Sequence, residues 1–138
     1  MKKITIIGAG VFGFALAKII GDKHSGEEIF IYDIQEKYIN HIIKTKQHPA
    51  FKSIALLSSH IKATHSLEEA VPDSELIILA IPSMFMRSAL KDFKPYLKKG
   101  MILLNIAKGL ENKTNMTMSE VIKDELKNVK IKYHICSL

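Results

Sequence analysis

Glycines and one carboxylate form the clearest chemical pattern in the chain. The run GAGVFG at positions 8–13 has the spacing G-x-G-x-x-G, and Asp33 follows twenty positions after Gly13. Backbone N–H groups at the start of a helix, aided by the helix dipole, bind phosphate. The pattern therefore predicts a site for the pyrophosphate of a dinucleotide.

A different physical requirement explains each glycine of this run. Gly8 permits a tight turn, Gly10 lets the backbone approach a pyrophosphate, and Gly13 lets a helix pack closely against a strand. The alternative is a structural glycine turn that binds nothing. We favour the binding site, because the run lies between a predicted strand and a predicted helix and an acid ends the next strand.

Asp33 ends the second predicted strand, where a carboxylate accepts hydrogen bonds from the ribose hydroxyls of adenosine. The same negative charge repels a 2′-phosphate, which favours NAD over NADP. Asp33 is also a candidate N-cap for the helix expected near Gln35, because aspartate is a preferred cap residue. One carboxylate has enough lone pairs for both roles.

Alternating strands and helices are expected to position these residues. Apolar β-rich runs predict strands, and helical periods or capping boxes predict helices. The predicted strands are Lys3–Ile7, Ile29–Tyr32, Ile61–Thr64, Leu76–Ile81, Met101–Leu104 and Ile131–Ile135. The predicted helices are Phe12–Ile20, one around 38–43, one from Ser66 to before Pro72, Met84–Phe93, and one from Thr117 to about Leu126.

This series predicts one α/β domain over residues 1–138, with a Rossmann-type, doubly wound and mainly parallel sheet. The continuous apolar run at 76–81 predicts the centre of the sheet. Capping boxes are predicted at Ser66 and Thr117. The role of the irregular segment 45–60 stays open.

Composition and charge narrow the classes of partner. The 138 residues are 47% hydrophobic and 25% charged, as in an ordinary folded domain. Lys and Arg number 20 against 14 Asp and Glu, but Arg87 is the only arginine and the lysines form no cluster. This distribution argues against nucleic acid and suits a small anionic ligand.

The sequence shows neither an apolar run long enough to span a membrane nor a secretion signal, so we expect a cytoplasmic protein with no membrane span. The single cysteine, Cys136, is expected to be a small core residue. No metal site is predicted.

Three segments together resemble one family. They are the glycine turn with an aromatic residue before its last glycine, IPSMF at 81–85 and AKGLE at 107–111. In this order and spacing they resemble the soluble NAD(P)-dependent glycerol-3-phosphate dehydrogenases, over nearly the whole chain. The K-G-x-E element at 108–111 is the most specific of the three.

The resemblance implies roles at these turns. Val11 and Phe12 would flank the pyrophosphate, Phe85 would lie beside the cofactor, and Lys108 would reach both cofactor and substrate. Pro82 joins the candidate site because ligands of open α/β sheets lie at the carboxyl ends of strands. Without the resemblance, Lys108 could equally be a solvated surface lysine, and Phe85 fits a core position better.

Two departures from the family qualify the prediction. Ile34 stands where NADP-using members place Arg or His, which again favours NAD, and we include it among the cofactor contacts. The chain ends at Leu138, near where the family continues into a helical substrate domain that holds its catalytic lysine. We therefore expect these 138 residues to bind a dinucleotide without turning over substrate.

For a full-length protein, the resemblance implies hydride transfer between a nicotinamide cofactor and dihydroxyacetone phosphate or glycerol 3-phosphate. This reaction would feed phospholipid synthesis and is compatible with a homodimer. Dehydrogenases of the 6-phosphogluconate, ketopantoate and hydroxyacid types share the glycine fingerprint, although the K-G-x-E element argues against them. A non-catalytic nucleotide-binding module also stays open, although Lys108 would be superfluous there.

Overall fold

Six strands and five α-helices alternate along the described residues, 2–52 and 56–135, of the computed structural model. The strands are β1 (Lys3–Ile7), β2 (Glu28–Tyr32), β3 (Ile61–Thr64), β4 (Leu76–Leu79), β5 (Ile102–Asn105) and β6 (Lys132–Ile135). The helices are α1 (Val11–Lys23), α2 (Glu36–Thr45), α3 (Leu67–Ala70), α4 (Met86–Phe93) and α5 (Met118–Glu125). Short 3₁₀ turns at Ser83–Phe85 and Lys94–Tyr96 flank α4.

The sheet has the strand order β3-β2-β1-β4-β5-β6, and every pairing between neighbouring strands is parallel. This is the doubly wound order, in which the chain reverses its direction of travel across the sheet between β1 and β4. The predicted Rossmann-type sheet is confirmed. Ligands of such sheets bind outside the carboxyl ends of the strands at this reversal.

The core lies on both faces of the sheet, which explains the continuous apolar strands. β1 is buried over its whole length. Ile4 and Ile6 pack in a cluster with α1 and α2, whereas Ile7 packs in a second cluster with α4 and α5. Helices on both faces leave the edge formed by the carboxyl ends of β1 and β4 open for a site.

Two local predictions have different outcomes. The capping box at Thr117 is confirmed, because its side chain accepts from the Glu120 N–H and the Glu120 carboxylate accepts from the Thr117 N–H. The capping box at Ser66 is wrong, since its hydroxyl makes no cap hydrogen bond. Thr64 instead lies between the two ends of the expected box: its Oγ1 accepts from the Ser66 N–H at 3.0 Å and donates to the Glu69 carboxylate at 2.7 Å.

Some boundaries also differ from the prediction. β4 ends at Leu79 rather than Ile81, and the helix expected from Met84 divides into a 3₁₀ turn and α4. Cys136 lies outside the described residues. Within the described residues, no helix is long and apolar enough to cross a membrane, and no three potential ligands gather in a metal-binding cluster.

Candidate dinucleotide-binding site

A cleft of about 730 Å³ opens at the carboxyl ends of β1, β2 and β4, where the strand order reverses. Its lining includes most of the residues that sequence analysis selected, drawn from three separate turns. These are Gly8, Gly10, Val11, Phe12, Asp33, Ile34, Pro82 and Phe85. Gly13 and Lys108 are not part of the lining.

The three glycines of the first turn are not equivalent in the structure. Gly8 has φ +112°, and a Cβ there would lie 2.4 Å from the Ala80 carbonyl oxygen. A Cβ at Gly13 would lie 1.9 Å from the Gly8 carbonyl oxygen, whereas a Cβ at Gly10 would meet nothing within 4 Å. Packing therefore requires glycine at positions 8 and 13, while the backbone of Gly10 faces open space in the cleft.

The N-terminus of α1 has the features of an anion site. Gly10 is its N-cap and offers no side chain, and no acidic residue lies in the first turn. By contrast, the start of α5 is capped by Thr117 and Glu120. Because the first N–H groups of a helix have no partner within it, the bare start of α1 suits a phosphate group that approaches through the cleft.

Asp33 ties two turns of the site together. Its Oδ2 accepts from the Ala9 N–H at 2.9 Å, and its Oδ1 accepts from the Gln35 N–H at 3.0 Å. The N-cap of α2 is Gln35, so the candidate cap role of Asp33 is wrong. Each carboxylate oxygen retains a lone pair, which leaves Asp33 able to accept from ribose hydroxyls.

Large apolar side chains stand unusually exposed at the rim of the cleft. Phe12 is 61% exposed, Ile34 74% and Phe85 55%. All three line the cleft. Exposed apolar side chains gathered around one cleft mark a place where a ligand or another part of a protein packs.

Several lining residues escaped the sequence analysis because they belong to no motif. They are Tyr32, Gln35, Tyr38, Leu67, Ser88, Ala89, Asp92 and Phe93, together with flanking apolar positions. Ser88 and Asp92 share one face of α4 at a spacing of four, which is the signal that could have found them. Burial, followed by the charges of Asp92 and Asp33, raises the pKa of Tyr32 above its ordinary value.

Lys108 lies exposed in the turn after β5, next to Ala107, which lines the cleft. Gly109 follows with φ +116°, and a Cβ there would lie 3.0 Å from the Ser83 Oγ. This close approach brings the turn that holds Lys108 against the turn that holds Phe85. Lys108 thus stands at the rim of the cleft rather than inside it.

Arg87 fixes the far end of the same turn. Its Nε donates to Glu111 Oε1 at 2.7 Å, its Nη2 to Glu111 Oε2 at 3.0 Å, and its Nη1 to Asp124 at 2.7 Å. The hydrogen bonds from Arg87 are the main reason that the pKa of Glu111 falls to about 2. The glutamate of the K-G-x-E element therefore anchors the Lys108 turn to α4.

The sequence is similar to known dehydrogenases over most of its length. Residues 3–138 match the family model of the NAD-dependent glycerol-3-phosphate dehydrogenase N-terminus. A glycerol-3-phosphate dehydrogenase (NAD(P)+) of Clostridium botulinum is 41% identical over 129 residues, which are 93% of this chain and 38% of that protein. The Listeria monocytogenes enzyme of the same name is 36% identical over 125 residues, 91% of this chain and 36% of that protein.

Solved structures share the fold. Glycerol-3-phosphate dehydrogenase from Coxiella burnetii superposes with a TM-score of 0.86 at 19% identity, covering 97% of this chain and 40% of that one. A ketopantoate reductase from Ralstonia eutropha is more distant, with a TM-score of 0.69 at 20% identity over 96% of this chain and 40% of that one. The chain spans less than half the length of these relatives.

Proposed function

This chain belongs to the NAD-dependent glycerol-3-phosphate dehydrogenases, whose N-terminal domain it matches, and we propose that it binds NAD for hydride transfer between that cofactor and dihydroxyacetone phosphate or glycerol 3-phosphate. One observation supports cofactor binding most strongly. Gly10 faces open space at the bare N-terminus of α1, although nothing in the packing there requires a glycine. A pyrophosphate that approaches the backbone at this point accounts for it.

The residues of the cleft fit a dinucleotide. The N–H groups at Val11 and Phe12 would hold the pyrophosphate, and Asp33 would accept from the adenosine ribose. Ile34, Pro82 and the exposed rings of Phe12 and Phe85 would pack against it. When bound, the cofactor supplies or takes up the hydride.

Lys108 would bind substrate. An ammonium group at the rim can attract a phosphorylated substrate and stabilise negative charge on its carbonyl oxygen. The Arg87–Glu111 pairing would keep the Lys108 turn beside the cleft. We place the proton donor outside these 138 residues, since the matched region is 38% of the length of the Clostridium botulinum enzyme. A cytoplasmic location and a homodimer of the complete protein stay predictions.

Asp33 and Ile34 should make the chain prefer NADH over NADPH. A 2′-phosphate would approach the Asp33 carboxylate, and no Arg or His occupies position 34 to neutralise it. We expect NADH to bind about tenfold more tightly, which corresponds to about 1.4 kcal/mol. Fluorescence titration of the 138-residue chain with both nucleotides measures the ratio. Equal or tighter binding of NADPH would contradict the proposed preference.

Two substitutions test which residue sets this ratio. Asp33→Asn keeps an oxygen for one backbone N–H but removes the charge, so the NADPH-to-NADH ratio of dissociation constants should fall. Ile34→Arg should lower the dissociation constant of NADPH in particular. Ile43→Arg is the matched control, because Ile43 is an exposed residue of α2 that does not line the cleft. A similar gain in NADPH affinity in Ile43→Arg would mean that the effect of Ile34→Arg comes only from the change in net charge.

A further inference from the structure

A buried histidine lies behind Tyr38, one of the residues that line the cleft, in the segment 45–60 whose role the sequence leaves open. His48 is 0% exposed. Its ring meets those of Phe14, Tyr38 and Phe51, with centroid separations of 5.3, 5.4 and 5.7 Å. His48 is absent from the cleft lining, so it can influence a ligand only through a neighbour.

The hydrogen bonds of His48 determine which ring nitrogen holds its proton. Nδ1 accepts from the N–H groups of Ala50 and Phe51, both at 3.1 Å. A nitrogen that accepts two hydrogen bonds has no proton, so a neutral ring must be protonated at Nε2. Burial lowers the pKa of His48 and outweighs the backbone of Ala9, which raises it. The lowered pKa favours the neutral ring.

Tyr38 takes its hydrogen-bond direction from this ring. Its Oη lies 3.1 Å from His48 Nε2. Because a protonated Nε2 cannot accept, the Tyr38 hydroxyl cannot donate to it, and the hydroxyl hydrogen is left for another partner. Among the described residues, that hydroxyl has no second hydrogen bond, and Tyr38 lines the cleft together with Gly10 and Asp33.

We propose that Tyr38 donates its hydroxyl hydrogen to a ribose or phosphate oxygen in the adenosine half of the cofactor, one that NADH, NADPH and ADP share, and that His48 is the positioning residue that fixes this direction. The inference rests on the proposed cofactor site. It complements Asp33, which can only accept: a ribose hydroxyl can donate to Asp33 while it accepts from Tyr38. Burial and the charge of Asp33 raise the pKa of Tyr38, which keeps the phenol protonated.

The first test removes only the hydroxyl. Tyr38→Phe keeps the ring, so the dissociation constants of NADH, NADPH and ADP should each rise roughly fivefold to tenfold. The NADPH-to-NADH ratio should stay unchanged, unlike that of Asp33→Asn. Tyr96→Phe is the matched control, since Tyr96 lies outside the cleft lining. Unchanged affinity in Tyr38→Phe, or a loss with NADH but not with ADP, would overturn the inference.

The second test addresses His48. His48→Asn keeps an acceptor for the N–H groups of Ala50 and Phe51 but has nothing at the Nε2 position. It should lose as much NADH affinity as Tyr38→Phe, and the double variant should lose no more than either alone. Fully additive losses would mean that His48 does not act through Tyr38.

The tautomer has its own readout, independent of binding. The ¹⁵N chemical shifts of the His48 ring in the wild-type chain should show a protonated Nε2 and an unprotonated Nδ1. The opposite tautomer would overturn the inference even if NADH binds. If wild-type protein with the expected tautomer fails to bind NADH, the proposed cofactor site itself is wrong.

Discussion

Gly10→Val should raise the dissociation constant for NADH at least a hundredfold, about 2.7 kcal/mol, while the domain stays folded. A Cβ at this position meets no protein atom within 4 Å, and the φ of −63° suits any L-residue. A branched side chain would nevertheless fill the space in front of the α1 N-terminus. Calorimetric titration gives the affinity, and circular dichroism checks the fold.

Two other glycines make the comparison informative. Gly26→Val is the matched control, because Gly26 also has open space around its missing Cβ but lies outside the cleft lining. Its NADH affinity should match the wild type. Gly13→Ala should instead lower the melting temperature, since its Cβ would lie 1.9 Å from the Gly8 carbonyl oxygen. Near-normal NADH binding by Gly10→Val would mean that the glycine turn is only structural.

In the complete protein, Lys108→Ala should reduce kcat/KM for dihydroxyacetone phosphate by roughly two orders of magnitude. Removal of one group that stabilises developing negative charge costs about 3 kcal/mol in other enzymes. Steady-state kinetics with NADH measures the change. Lys113→Ala is the matched control, an exposed lysine further along the same connection.

The same assay separates binding from catalysis. The isolated 138 residues should bind NADH but show no measurable turnover, because positioning of hydride donor, phosphate and proton donor requires a closed cleft between two domains. An unimpaired Lys108→Ala enzyme would remove this lysine from the site. Turnover by the 138-residue chain would contradict the proposal that the proton donor lies outside it.

Local signals predicted the fold and the glycine turn well. The close approach of Gly13 to the Gly8 carbonyl oxygen joins residues near each other in sequence, and apolar runs mark the buried strands. The prediction of a capping box at Ser66 was wrong for a local reason as well. The hydroxyl of Thr64 binds the Glu69 carboxylate, and the capping-box pattern includes no residue before Ser66.

Features that depend on tertiary approach could not be predicted. His48 contacts Phe14 and Tyr38 only when it packs against α1 and α2, and no spacing in the sequence indicates this. The hydrogen bond between Arg87 and Glu111 likewise joins α4 to the turn that holds Lys108, 24 positions later in the chain.

Binding of a dinucleotide at the N-terminus of α1 can be followed residue by residue. The experiment is a titration of the ¹⁵N-labelled 138-residue chain with NADH, recorded as amide chemical shifts. We predict saturable binding that shifts the amide signals of Gly10, Val11, Phe12 and Asp33 and leaves the capped start of α5 at Thr117 unchanged. A folded chain whose glycine-turn signals do not move at saturating NADH would contradict binding at this site.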